Sequence, residues 1–301
     1  MNINHTLFLT LLMVLLFSSC DIYEQDEYTE QVVLESYMIA GRPLPVVRLS
    51  KTLPADVEYS FGEAALTDAE VIITKLENGS PAEEFPYQTQ ANGVYRPANR
   101  IHRVEPGSRY RIDVQFNNRD EVLRAETITP EQFDILNDVE NEYVYQSENQ
   151  LEILLSATES SARQNVYVFN TLAREPSLEN LTPFYLDAVE EGDSDISEFL
   201  NNSSGLINEG NFDIKEDRTI LLRFPWIGVA FFGENAVVTN SVDQNLADLV
   251  RSEELQLGGS TLPPGEIPNL IYNVEGGIGV FGSISSDTLI TRFVRPDSLR
   301  Q

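Results

Sequence analysis

Cysteine, tryptophan, histidine and lysine are scarce in this chain of 301 residues, with one, one, two and three copies. Cys20 as the only thiol leaves no partner for an intrachain disulfide. The histidines are His5, within the N-terminal stretch that precedes Cys20, and His102. Any catalytic triad outside that stretch would have to use His102, with an orienting acid and a nucleophile beside it. His102 lies in Asn99-Arg100-Ile101-His102-Arg103-Val104, between arginines and near a turn, where an exposed loop histidine is the plain reading. No Gly-x-Ser-x-Gly elbow is present. Zinc sites built from Cys and His lack ligands within one chain. Positive charge is short as well: 20 Lys and Arg face 48 Asp and Glu, for a net charge of −28. That balance disfavours nucleic acid and anionic lipid surfaces, which are polyanions.

The hydrophobic content of 42% is enough for a packed core despite the acidity. At the N-terminus an apolar run over residues 7–17 leads into Ser18-Ser19-Cys20. It is a secretory signal in pattern and too short to span a bilayer. Small residues followed by cysteine resemble the lipobox of a bacterial lipoprotein. The resemblance implies cleavage before Cys20, a diacylated Cys20 thiol and an acylated new N-terminus, so that Cys20 is the lipid-attachment residue and the contact with the membrane. Each buried methylene contributes on the order of 0.8 kcal/mol, so two or three chains anchor firmly. Thiolate chemistry is then excluded too. Residues 20–30 form a lipidated acidic tether, a solvated spacer. In lipoproteins of Bacteroidota, acids in this position resemble a signal for display on the outer cell surface rather than the periplasmic face. A plain linker is the alternative.

From residue 31 the pattern is mostly β. Strands are expected over 31–39, 45–49, 69–75, 93–96, 109–116 and 121–128, separated by Asn78-Gly79, Asn92-Gly93, Pro106-Gly107 and Asn117-Asn118. Six or seven such strands in about 100 residues read as an immunoglobulin- or fibronectin-like β-sandwich over 31–129. Glu105-Pro106-Gly107-Ser108-Arg109-Tyr110 resembles the lead-in to the penultimate strand of fibronectin-type modules, which implies a tyrosine corner at Tyr110. Thr129-Pro130 marks the expected boundary, with a second mostly-β domain over 130–301. Its strands are expected over 151–157, 165–172, 218–224, 229–232, 236–239, 270–273, 278–283 and 287–294. An acidic excursion over 174–213 is too long for a hairpin loop and is expected to hold short helices. One helix near 242–254 is signalled by Ser241 and Gln244 as a capping box, with Val242, Leu246, Leu249 and Val250 on one face.

The segment Ile271-Tyr272-Asn273-Val274-Glu275-Gly276-Gly277-Ile278-Gly279-Val280-Phe281-Gly282-Ser283 resembles the closing motif of a Bacteroidota lipoprotein family known as domain-of-unknown-function family 4249. The Val-Val-Leu-Glu first strand and Val47-Arg48-Leu49-Ser50-Lys51-Thr52 fit the same family. Its members are often encoded near TonB-dependent outer-membrane transporters, which implies an accessory role. The family carries no established activity.

Three motifs bear on chemistry. Gly277-Ile278-Gly279-Val280-Phe281-Gly282 satisfies the glycine spacing of a dinucleotide fingerprint, yet strand-like sequence follows where a helix is required, so a packing role is expected. Residues 190–198 are acidic and could offer oxygen ligands to calcium, but they lack the central glycine and the terminal-acid spacing of an EF-hand loop, and a solvated acidic loop is the plainer reading. Phe224-Pro225-Trp226-Ile227-Gly228-Val229-Ala230-Phe231-Phe232 is the most aromatic stretch, and Trp226, Phe231 and Phe232 are the candidate ligand-binding residues, core packing being the alternative. No cofactor and no metal follow from these residues. The expected function is a non-enzymatic, outer-membrane-anchored binding or accessory lipoprotein, working with a TonB-dependent transporter. The alternatives are a glycan-binding surface lipoprotein of a nutrient-uptake system, and a hydrolase built on two facing carboxylates.

Overall fold

The computed structural model describes residues 28–136, 142–156, 165–192, 194–257 and 269–297. Cys20, the signal segment and most of the tether lie outside them. The first half is a two-sheet sandwich of β1 (Val32–Ile39), β2 (Val47–Lys51), β3 (Ala69–Glu77), β4 (Ser80–Ala91), β5 (Val94–Pro97), β6 (Arg109–Phe116) and β7 (Val122–Ile128), with one helical turn, α1 (Phe61–Ala64). Alternation with a period of two makes these strands. In β6, Tyr110, Ile112, Val114 and Phe116 are buried while Arg109, Arg111, Asp113 and Gln115 face outward. Tyr110 forms the expected corner: it is fully buried and its hydroxyl accepts a hydrogen bond from the Glu105 backbone N–H at 2.9 Å.

The strand that the sequence conceals is β4. It holds Pro81 and Pro86, and only Phe85 and Tyr87 within it are buried. Proline is tolerated at strand edges and irregularities, and the β3–β4 register shifts between Lys75 and Leu76, next to the Leu76↔Pro81 pair. β4 also changes sheets. Residues 80–86 pair with β3, and from Tyr87 the strand pairs with β5.

The second half contains β8 (Glu142–Val144), β9 (Glu152–Leu155), β10 (Val166–Ala173), β11 (Asn201–Ser203), β12 (Ile207–Asn208), β13 (Asp213–Ile214), β14 (Ile220–Arg223), β15 (Gly233–Val242) and β16 (Ile278–Val294). Its helices are α2 (Pro183–Glu190), within the acidic excursion as expected, and α3 (Gln244–Leu257). A three-stranded sheet, β13–β14–β9, encloses a second core with β10, β15 and β16, built on Ile153, Leu155, Tyr167, Phe169, Leu222, Val237 and Phe293.

Four expectations change. The run 229–232 is not a strand. It follows a 3-10 turn at Trp226–Gly228, and it is buried on both sides because Phe231 packs with Leu181 and Tyr185 while Phe232 joins the second core. Residues 270–273 are not a strand either. The cap of α3 is Asp243, whose Oδ1 accepts the Leu246 N–H at 2.9 Å, since Ser241 and Val242 are held extended against Ser285 and Ile284. Most consequential, the strands expected at 278–283 and 287–294 are one strand of 17 residues. Its first part runs parallel to β1 from Val33↔Ile278 to Ile39↔Ile284, and the rest runs antiparallel to β15 and, at Arg292–Val294, parallel to β8. At about 3.3 Å per residue it traverses both halves. A sequential division at Thr129-Pro130 therefore does not describe the C-terminal part: Val274 and Phe281 complete the core of the first sandwich.

Candidate functional site

Where β16 crosses between the cores, Asp243 is 8% exposed. Its Oδ2 accepts a hydrogen bond from the Thr127 hydroxyl of β7 at 2.5 Å and lies 3.2 Å from Ser283 Oγ of β16. The two hydroxyl oxygens are 2.7 Å apart. With its other oxygen capping α3, this one carboxylate joins the last strand of the first sandwich, the shared strand and the helix. Burial pushes the Asp243 carboxyl above the usual range, against the opposing pull of the Thr127, Leu246 and Ser283 hydrogen bonds.

Side-chain amides complete the seam. Asn245 Nδ2 donates to Glu126 O at 2.8 Å and Phe281 O at 3.1 Å. Asn273 Nδ2 donates to the same two carbonyls at 3.2 and 2.9 Å, and its Oδ1 accepts the Phe281 N–H at 3.0 Å. This is why residues 270–273 leave the strand ladder: Asn273 serves the backbone with its side chain instead. Backbone groups of β7 and β16 are satisfied here by side-chain amides.

Beside the seam opens a groove of about 560 Å³, whose polar lining includes Arg109, Glu126, Glu131, Asn165, Gln244 and Asn245. Arg109 Nη1 pairs with Glu126 Oε2 at 3.1 Å. The volume lies in the range of small-molecule sites. Guanidinium and amide donors beside carboxylate acceptors suit a polar ligand, whereas Asp243 is already saturated by its own frame.

The residues singled out by sequence are scattered. Phe231 and Phe232 are 1% and 5% exposed, so they cannot form a ligand platform; the apolar run is core. Trp226 is half-buried, its ring edge-on to Tyr145 at 5.6 Å and Phe293 at 6.3 Å. His102 is not an exposed loop residue. Its ring lies 4.1 Å from that of Phe85, with Nε2 3.3 Å from the Tyr110 hydroxyl and Nδ1 3.7 Å from Glu83. In the acidic stretch, Asp195 and Glu198 form a capping box on the 3-10 turn Ile196–Phe199, and the Ser197 hydrogen bonds hold the Asp195 carboxyl below its usual range. Asp193 lies outside the described residues. Among the described residues no group of three or more His, Cys, Asp and Glu is placed to hold a metal.

The glycine motif does what packing requires. Gly279 has φ +113°, and a Cβ there would stand 2.1 Å from the Leu34 carbonyl oxygen; at Gly282 it would stand 2.4 Å from Leu246 Cγ. Only glycine lets β16 lie against β1 and α3 so closely. The sequence marked these glycines but missed Asp243, Thr127 and Ser283. Their one signal was Asp243 just ahead of an apolar helical face.

The profile of a family described as a domain of unknown function, DUF4249, matches residues 19–290. The chain belongs to the DUF4249 family. No curated protein matches it. Among solved structures it is similar to the FN1–FN3 domains of chicken CNTN1, at 11% identity and a TM-score of 0.24, covering 87% of this chain and 67% of that one. Extracellular domains 3–5 of Drosophila OTK match at 8% identity and a TM-score of 0.17, over 89% of this chain and 67% of that one. Escherichia coli alpha-2-macroglobulin activated by porcine elastase matches at 10% identity and a TM-score of 0.24, over 89% of this chain and 23% of that one. Among the described residues of this DUF4249 protein, no helix is long and apolar enough to cross a membrane.

Proposed function

We propose that this DUF4249 protein is a lipoprotein anchored through Cys20 to the outer membrane, displayed at the cell surface, that acts by binding rather than catalysis as an accessory to a TonB-dependent transporter. What carries the reading is the use made of its reactive groups. Asp243, Thr127 and Ser283 tie the shared strand to both halves, and His102 and Tyr110 brace one sandwich. The lipobox supports the anchor and the acidic tether supports surface display. In gently solubilised outer membranes the protein is expected to co-purify with a transporter, and Cys20→Ser is expected to release it from the membrane fraction. Co-purification without any transporter would refute the accessory role; membrane retention of Cys20→Ser would refute the anchor.

The groove favours a second reading, capture of a small polar ligand such as a glycan. Its amide and charged lining supports hydrogen bonding to hydroxyls, although among the described residues no aromatic side chain lines it. A glycan array without hits counts against this reading.

A further inference from the structure

In a chain so acidic, residues 36–55 and 85–104 contain no Asp or Glu. The first stretch carries Arg42, Arg48 and Lys51, and the second carries Arg96, Arg100 and Arg103. The fold places the two side by side. β2 pairs with β5 through Val47↔Tyr95 and Arg48↔Val94, Pro43 bridges Arg103, and the Val104 N–H donates to Arg42 O at 2.8 Å. Val47 and Tyr95 point into the core, so alternation sends Arg48 and Arg96 to the outer face of the same sheet. Arg42, Arg100 and Arg103 are exposed on the adjoining loops. Most described cations elsewhere sit in ion pairs, and Lys51 at the margin pairs with Glu30 at 2.7 Å. None of the five arginines has a carboxylate within 4.0 Å among the described residues, although Glu35 stands across from Arg48 in the β1–β2 register.

One residue makes this more than a patch of charge. Ile101 is 86% exposed, held between Arg100 and Arg103. Its neighbour His102 is turned inward onto Phe85, so the loop buries the imidazole and presents the isoleucine. The loop is pinned in that attitude: Ala98 N–H donates to Pro86 O at 2.9 Å, Ile101 N–H to Asn99 Oδ1 at 2.9 Å, and Arg103 Nη1 to Gly41 O at 2.9 Å. An apolar side chain projected among unpaired arginines has the composition of a protein-binding hot spot, where an anchor is ringed by groups that pair with the partner.

We propose that this face docks an acidic protein surface, with Ile101 as the anchor and Arg42, Arg96, Arg100 and Arg103 as the charged rim. A protein surface fits better than a bilayer because one exposed isoleucine gives little membrane insertion but is enough to fill a small recess on a folded partner. The docking face is independent of the transporter reading, since it specifies only carboxylates and a small apolar recess on the partner.

The test places a photo-crosslinking residue at Ile101 in the full chain, in cells that make the protein, with Ile290 on the second half as the control position. The expected adduct is a protein peptide rich in Asp and Glu, absent from position 290 and reduced about tenfold in Arg100→Glu/Arg103→Glu. In parallel, the purified chain is titrated with poly-L-glutamate and with phosphatidylglycerol vesicles. Poly-L-glutamate is expected to bind, to be displaced by salt, and to bind about tenfold more weakly to the double variant at unchanged circular dichroism. No adduct at 101, adducts to lipid or glycan instead, binding of vesicles without poly-L-glutamate, or indifference to charge reversal would each overturn the proposal.

Discussion

Gly282→Ala should destabilise the protein through one contact. A Cβ at this position would lie 2.4, 2.7 and 3.1 Å from three side-chain atoms of Leu246, where carbon–carbon contacts are optimal at about 3.5–4.0 Å. Leu246 must therefore move by roughly 1 Å or change rotamer, and α3 must lift from β16, at a cost of about 1–3 kcal/mol as for other overpacked sites. Leu246→Ala alone should cost about 1–2 kcal/mol, below the range for fully buried leucine truncation because the side chain is only half-buried. Together the two changes relieve each other. In the Leu246→Ala background Gly282→Ala should cost less than about 0.5 kcal/mol, giving a coupling of about 0.5–3 kcal/mol. Gly279→Ala is the contrast. Its clash is with the Leu34 backbone oxygen at φ +113°, which no side-chain truncation relieves, so its penalty should be the same in both backgrounds. The assay is urea unfolding of the wild type and the five variants, followed by far-UV circular dichroism and by fluorescence of Trp226, the single tryptophan. Coincident midpoints for the two probes support a two-state treatment of the free energies. Equal penalties for Gly282→Ala with and without Leu246 would refute the contact as the cause.

Asp243 sets a pH dependence. Its carboxyl is raised above the ordinary value of 3.8 in the fold. A raised group contributes stability that is fully present below the unfolded value and is lost as pH rises through the folded value. The stability of the wild type relative to Asp243→Asn should therefore fall from about pH 4 upward and then level off; a flat or rising difference in urea unfolding across pH 3.5–8 contradicts this. Tyr110→Phe removes the acceptor for the Glu105 N–H and should cost about 1–3 kcal/mol, read as a lower urea midpoint at unchanged slope.

Much of the first sandwich was legible because its strands alternate cleanly. β6 reads the same in sequence and structure, and the Pro-Gly approach to Tyr110 announced its corner. The glycine motif was legible as packing, though not what it packs against. β4 was hidden because its two prolines and mostly solvated side chains carry no alternation. The run Val229–Phe232 misled for the opposite reason: an apolar stretch buried on both sides looks the same whether or not it is a strand. Phe231 and Phe232, two of the three aromatic candidates, fell with it, since they are hydrophobic enough for either core or platform, and only the two flanking cores decide.

What the sequence determined by itself was composition-deep and local: the scarcity of Cys and His, the lipobox pattern at Cys20, the mostly-β character, the helix ahead of the glycines and the membership of the DUF4249 family. These follow from residue identity and short periodicities. What only the tertiary structure decided was long-range. β16 belongs to both halves, Asp243 meets Thr127 across 116 residues of chain and Ser283 across 40, and two acid-free stretches merge into one basic face on an acidic protein. Each depends on pairing between distant strands, which is fixed by the fit of whole surfaces rather than by any residue's neighbours in sequence.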